Sequence, residues 1–249
     1  MVLRAGRSSE LNLAGAGSEA PLPDAVFDAA MKRAGTVRVM SYAQLFAAAR
    51  ILSMGKQPRG DRLAIVTNGH GPGTLAADSA ADCGVPLAEL SPETDKALAA
   101  VLPPNVASRN PINVRGDATP ERMAAAVSAL LADPQVDAVL ALHVQRPATG
   151  ATDAARAVAT VARGATKPVL AAWLGAIGQR EVRDALEAGG VPDFYTPEHA
   201  VEAFSFVAAY RRNQQWLLEV PARSRNPSRR TRRSPSGCAT RRAPTITPC

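Results

Sequence analysis

A chain of 249 residues with 46% hydrophobic and 4% aromatic side chains carries enough apolar material for one large or two small globular domains, and no apolar run reaches the ~18 residues of a membrane helix. The net charge of +7 is local, because eight arginines and no acid lie between Ala222 and Cys249, leaving the remainder close to neutral. His70, His143 and His199 are scattered and Cys83 is the one cysteine before the basic tail, which argues against a zinc cluster or a disulfide framework; with no signal-peptide core, a cytoplasmic protein is expected.

Met1 to Ser8 reads as a short strand, and Ser9 to Pro23, with Gly15, Gly17, Pro21 and Pro23, reads as loop. A helix is predicted over Asp24 to Ala34 with Ala25, Val26, Ala29 and Ala30 on one face, followed by a strand at Val37 to Met40. Ser41 caps the next helix, whose apolar stripe is read as Leu45, Phe46, Ala49 and Leu52. Lys56 to Asp61 reads as a linker. This divides the chain into 1–54, a linker 55–61, a main domain 62–220, and a tail 221–249 too polar and Arg-rich to bury a core, hence disordered.

The main domain opens on Arg-Leu-Ala-Ile-Val-Thr-Asn-Gly-His-Gly-Pro-Gly from Arg62 to Gly73. Leu63 to Val66 has the continuous apolar character of a strand covered on both faces. Gly69, Gly71 and Gly73 then mark a loop before an alanine-rich helix from Thr74 to Cys83, stopped by Gly84. Unpaired N–H groups at a helix start and the positive end of its dipole suit an anion. The spacing matches neither the Rossmann nor the Walker A pattern, so a phosphate contact and a plain tight turn both stand as readings.

Further strands are predicted at Pro86 to Glu89, Ala138 to Val144 and Val169 to Leu174, with shorter ones near Ile112 and Phe194. Three helices start at Ser91-Pro92-Glu93, Thr119-Pro120-Glu121 and Thr196-Pro197-Glu198. In each the hydroxyl caps, proline occupies the position where its missing donor costs nothing, and glutamate complements the dipole. Met123, Val127, Leu130 and Leu131 form one core face, and Val201, Phe204 and Ala208 another. Alternating strands and helices predict an α/β fold with a mainly parallel sheet in three layers, ligands lying beyond the carboxyl ends of the strands. Three loops fall there: Asn68 to Gly73, Asn110 to Thr119, and His143 to Gly150.

The candidate anion or interdomain contacts are Asn68, Gly69, His70, Gly71, Gly73 and Thr74 in the first loop, and Asn110, Asn113, Asp117 and Thr119 in the second. The second group can hold a phosphate or CoA-like moiety through amides and N–H donors, or can simply shape a turn and a cap. No nucleophile and base pair can be assembled, so no catalytic residue and no metal site is assigned.

Gly60 to Asp78, Leu87 to Thr94 (Leu-Ala-Glu-Leu-Ser-Pro-Glu-Thr), Asn110 to Arg122 (Asn-Pro-Ile-Asn-Val-Arg-Gly-Asp-Ala-Thr-Pro-Glu-Arg) and Tyr210 to Gln215 resemble NDP-forming acyl-CoA synthetases. The resemblance is greater to the synthetase-like half of Pat-type protein lysine acetyltransferases, in which that half is fused to a GNAT domain. It implies a flavodoxin-like, succinyl-CoA-synthetase-like domain over 62–220, preceded by the end of a similar domain. It also implies that Gly69 to Gly73 matches a helix start facing a phosphohistidine, while the Ser-His-Thr-Gly histidine is replaced by the stretch Ala14 to Ser18 and Asn113 stands where aspartate is usual.

The resemblance implies acetyl-CoA or CoA and ATP or ADP as ligands of the full-length family, none in the isolated chain, and other domains or subunits of the synthetase or acetyltransferase assembly as partners. The first expectation is a truncated, non-catalytic acetyltransferase segment serving docking and regulation, with the tail an out-of-frame extension. The alternative is a subunit of an ADP-forming acetate or acyl-CoA ligase. A third reading has the tail bind nucleic acid nonspecifically.

Overall fold

The structure, a computed structural model, describes residues 1–4, 24–146, 150–175 and 180–219. The expectations for Ser9 to Pro23, for Ala14 to Ser18 and for the basic tail lie outside the described residues. Contacts gather Met1–Glu219 into one compact unit.

Two short strands, β1 (Val2–Leu3) and β2 (Arg38–Val39), pair in parallel and bracket helix α1 (Asp24–Arg33); helix α2 (Tyr42–Ser53) follows. The main sheet is built from β3 (Leu63–Thr67), β4 (Ile112–Asn113), β5 (Ala138–Val144) and β6 (Val169–Leu174), all parallel, in the order β4-β3-β5-β6. Single bridges extend it at both margins, Leu87 beside Leu63 and Asp193 beside Ala171. With these margins counted, the sheet has the 2-1-3-4-5 order of flavodoxin-like folds, and its order reverses between β3 and β5.

Helices α3 (His70–Asp82) and α8 (Pro197–Leu218) join α2 on one face, while α4 (Pro92–Val101), α5 (Pro120–Ala132), α6 (Ala151–Gly164) and α7 (Arg180–Ala188) cover the other. The period of two along each strand divides the core between these layers. Leu63, Ile65, Leu140, Leu142 and Leu170 pack toward α3 and α8, whereas Val66, Val139, Ala141 and Val169 pack toward α5 and α6. Every residue of β3 is buried, as its continuous apolar run requires.

The repeated hydroxyl–proline–glutamate device works at all three sites. Ser91 accepts from the Thr94 N–H, Thr119 from that of Arg122 and Thr196 from that of His199, each with proline in the first turn. The expected core faces of α5 and α8 are buried at Met123, Val127, Leu130, Val201, Phe204 and Ala208.

Four expectations are corrected. Helix α1 turns Ala25, Val26, Ala29 and Ala30 outward, and Phe27 instead packs beneath the guanidinium groups of Arg4 and Arg38. Helix α2 buries Ala48 and Ile51, leaving Phe46 69% exposed and stacked on Tyr42. The strand expected at Pro86 to Glu89 shrinks to the bridge at Leu87. Most consequential, the glycine loop is not loop: α3 begins at His70, so Gly71, Pro72 and Gly73 form its first turn, where proline costs no hydrogen bond.

The margin of β3 is completed by a side chain. The Asn110 amide accepts the Ile65 N–H (2.9 Å) and donates to the carbonyls of Leu63 (2.9 Å) and Ala88 (3.1 Å), filling the gap between the partners Leu87 and Ile112. On the other side of β3, just before its first residue, Arg62 binds the buried Asp137 carboxylate at 2.8 Å. Burial alone would raise that carboxyl; the hydrogen bonds and charge of Arg62 outweigh it and hold it below the usual carboxylate range.

Candidate functional site

Where the strand order reverses, open α/β sheets leave a crevice for a ligand. Here Asn68 closes it. Its side chain is 1% exposed, Nδ2 donates to the Val144 carbonyl (2.9 Å), and Oδ1 accepts the Val144 N–H (2.6 Å). The amide imitates a peptide unit and carries the β3–β5 pairing one step beyond Thr67.

The chain then turns directly into α3. The Thr67 hydroxyl accepts the Gly69 N–H (3.1 Å) and donates to the Gly69 carbonyl (2.9 Å). A Cβ at Gly69 would stand 2.9 Å from Val144 Cγ2, and one at Gly73 would stand 2.8 Å from Thr67 Cγ2. The glycines therefore permit close seating of the first turn on the end of β3. Gly71 differs, since its Cβ would meet nothing within 4 Å.

Gly69 supplies no side-chain cap, and the first-turn N–H groups of His70 and Gly71 have no acceptor within a helix by construction. His70 and Gly71 are exposed at this uncapped start. The dipole of a 13-residue helix adds positive potential there. What this arrangement can do is hold an oxyanion without any charged side chain.

The other candidates are engaged within the protein. Asn110 belongs to the sheet margin as described. Asn113 Oδ1 accepts the Arg115 N–H (2.9 Å), Asp117 pairs with Arg122 (3.3 Å), Thr119 caps α5 and Thr74 donates to the His70 carbonyl (3.2 Å). Of the ten predicted residues, His70 and Gly71 present open surface beside polar backbone, and Asn68, Gly69 and Gly73 position them.

His143 is buried at 2% exposure, and its ring stacks on Trp173 across the β5–β6 register at 5.3 Å and 12°. The indole donates to the Ala151 carbonyl in the first turn of α6 (3.0 Å), while His143 Nδ1 makes no hydrogen bond. Burial pushes the imidazole down to about 4, so it is neutral at neutral pH. The sequence places His143 at a strand end but holds no signal for its aromatic partner, which only the strand register supplies. Among the described residues no cluster of His, Cys, Asp and Glu could hold a metal ion.

The Ligase-CoA domain family matches residues 63–217. The chain is 32% identical over 212 residues to the alpha subunit of acetate–CoA ligase [ADP-forming] I from Pyrococcus furiosus, covering 82% of this chain and 45% of that one. Among solved structures, the apo form of the dinucleotide-forming acetyl-coenzyme A synthetase 1 of Ca. Korarchaeum cryptofilum superposes with a TM-score of 0.79 at 29% identity. That match covers 88% of this chain and 48% of the other. The same synthetase in complex with phosphate and ADP gives a TM-score of 0.72 at 28% identity, covering 80% and 43%. The chain thus spans about half the length of these relatives. With more than half of its residues matched, the chain belongs to the Ligase-CoA domain family.

Proposed function

We propose that this chain is a phosphoryl-docking part of an ADP-forming acyl-CoA ligase assembly, presenting the start of α3 to a phosphorylated group that another domain or subunit carries. One observation supports this most directly: the uncapped first turn at His70 and Gly71, exposed beyond the carboxyl end of β3. Its backbone donors suit a phosphoryl group in transit, since they offer hydrogen bonds directed at an oxyanion from a helix start. The relatives support ligase chemistry, and the expectation of an acetyltransferase segment finds no support in their names. CoA, the acyl acid and ADP are bound by the assembly, with acyl and nucleotide chemistry housed in the parts of the longer relatives that this chain does not match.

The test uses inorganic phosphate as probe, followed by 31P line broadening on titration into the full chain. Gly71→Asp adds a carboxylate where a side chain has open space, so it leaves the fold intact while repelling the anion. The expected result is saturable millimolar binding that Gly71→Asp weakens by about tenfold or more. Identical titrations of the two proteins would defeat the reading.

A further inference from the structure

With the crevice between β3 and β5 closed by Asn68, the carboxyl side of the sheet opens elsewhere. A cleft of about 600 Å³ lies past the end of β6, walled by α7, the start of α8 and Arg50 of α2. It continues into a second compartment of about 320 Å³ between α2 and α8, and the two share Arg50, Asp193, Phe194 and Tyr195. The larger volume is within the range that encloses small organic ligands.

The lining combines three chemistries. Tyr195 is 69% exposed and stands at the junction of the compartments, its ring open to a ligand. Arg50 is committed to Glu187 at 2.9 Å, whereas Arg183 forms no hydrogen bond or ion pair among the described residues. Asp193 is anchored through Oδ1, which accepts the Trp173 N–H at 3.2 Å, so its carboxyl is held rigidly at the cleft floor. Burial raises that carboxyl above the usual range, outweighing the Trp173 N–H and the charges of Arg50 and Arg183, which pull it down.

A flat ring, a guanidinium that acts on Asp193 only through its charge, without a direct ion pair, and a carboxyl with one backbone donor in one cleft suit a ligand with a planar face, an anionic group and an amine. We propose that this double cleft binds an adenine mononucleotide, its base stacked on Tyr195 with the exocyclic amine toward Asp193, and its phosphate on Arg183. The site is separate from the α3 first turn, and the proposal does not rest on the phosphoryl-docking reading. It gives the chain a nucleotide-sensing site of its own.

The probe is AMP, titrated by calorimetry into the full chain. Saturable one-to-one binding is expected, weakened about tenfold by Arg183→Gln through loss of a charge-assisted contact and about tenfold by Tyr195→Ala through loss of stacking. Both residues are exposed, and the thermal midpoints of the variants should match the parent. UMP, whose base has no exocyclic amine, should bind about tenfold more weakly than AMP. Gly71→Asp, which blocks the α3 site, should leave AMP binding unchanged. Absence of saturation below about 1 mM, indifference to either cleft substitution, equal affinity for UMP, or loss of binding in Gly71→Asp would each overturn the proposal.

Discussion

Acidifying the protein puts a proton where the structure has no room for its charge. The imidazole of His143 is 2% exposed, stacks on Trp173 and leaves Nδ1 without an acceptor, and burial depresses its pKa from 6.5 to about 4. Because the folded-state value is the lower one, the unfolded chain takes up the proton first. The contribution of the neutral ring is complete above pH 6.5, declines as pH falls, and is lost in full near pH 4. Linkage between those two values gives a loss of about 2 kcal/mol between pH 7 and pH 5. The carboxylates of Asp133 and Asp137, held low by their hydrogen-bond partners, also lose stability on acidification, so the comparison needs a reference that keeps them. His143→Phe serves, since it preserves a ring against Trp173 and cannot titrate. Urea unfolding at pH 7, 6 and 5, read by circular dichroism, should show the parent losing about 2 kcal/mol more than the variant over this interval. Parallel pH profiles would refute the assignment of a buried, neutral imidazole.

The two glycines of the α3 first turn should respond oppositely to the same substitution. Gly73→Ala drives a Cβ to 2.8 Å from Thr67 Cγ2 and should destabilise by about 1–3 kcal/mol, while Gly71→Ala enters open space and should be neutral or stabilising by up to about 1 kcal/mol, both measured by thermal unfolding. Asn110→Ala removes an acceptor and two donor contacts from the β3 margin and should cost about 2–4 kcal/mol, with loss of amide-exchange protection centred on Ile65. Thr119→Ala should cost about 1 kcal/mol by uncapping α5, an effect that Thr119→Ser restores.

What was legible in the sequence follows from how local each signal is. The buried run Leu63 to Val66 and the hydroxyl–proline–glutamate starts carry their meaning within a few residues, and the elements form where those signals stand. The stripes of α1 and α2 mislead because alanine-rich helices present several faces of nearly equal apolarity; contact with α8 decides which face of α2 is buried, and α1 buries none of its residues. Gly71, Pro72 and Gly73 look like loop punctuation, yet a first turn tolerates all three because its donors have no helical acceptor to lose. In the sequence Asn68 and Asn110 read as candidate anion or interdomain contacts. Their actual bonds run to Val144, Ile65, Leu63 and Ala88, partners fixed only by strand order. The cleft beside Asp193 draws on α2, β6, α7 and the start of α8, and no sequence spacing announces such an assembly.

The amide of Asn110 has an effect beyond holding the native fold. Between Leu87 and Ile112 the flank of β3 would otherwise leave the Ile65 N–H without a partner on that side, whereas the Leu63 carbonyl also accepts the Ala88 N–H (2.8 Å). By occupying that donor, one side chain removes the vacant rung on which a foreign strand could template itself, so this fully buried, apolar segment is shielded from seeding fibrils.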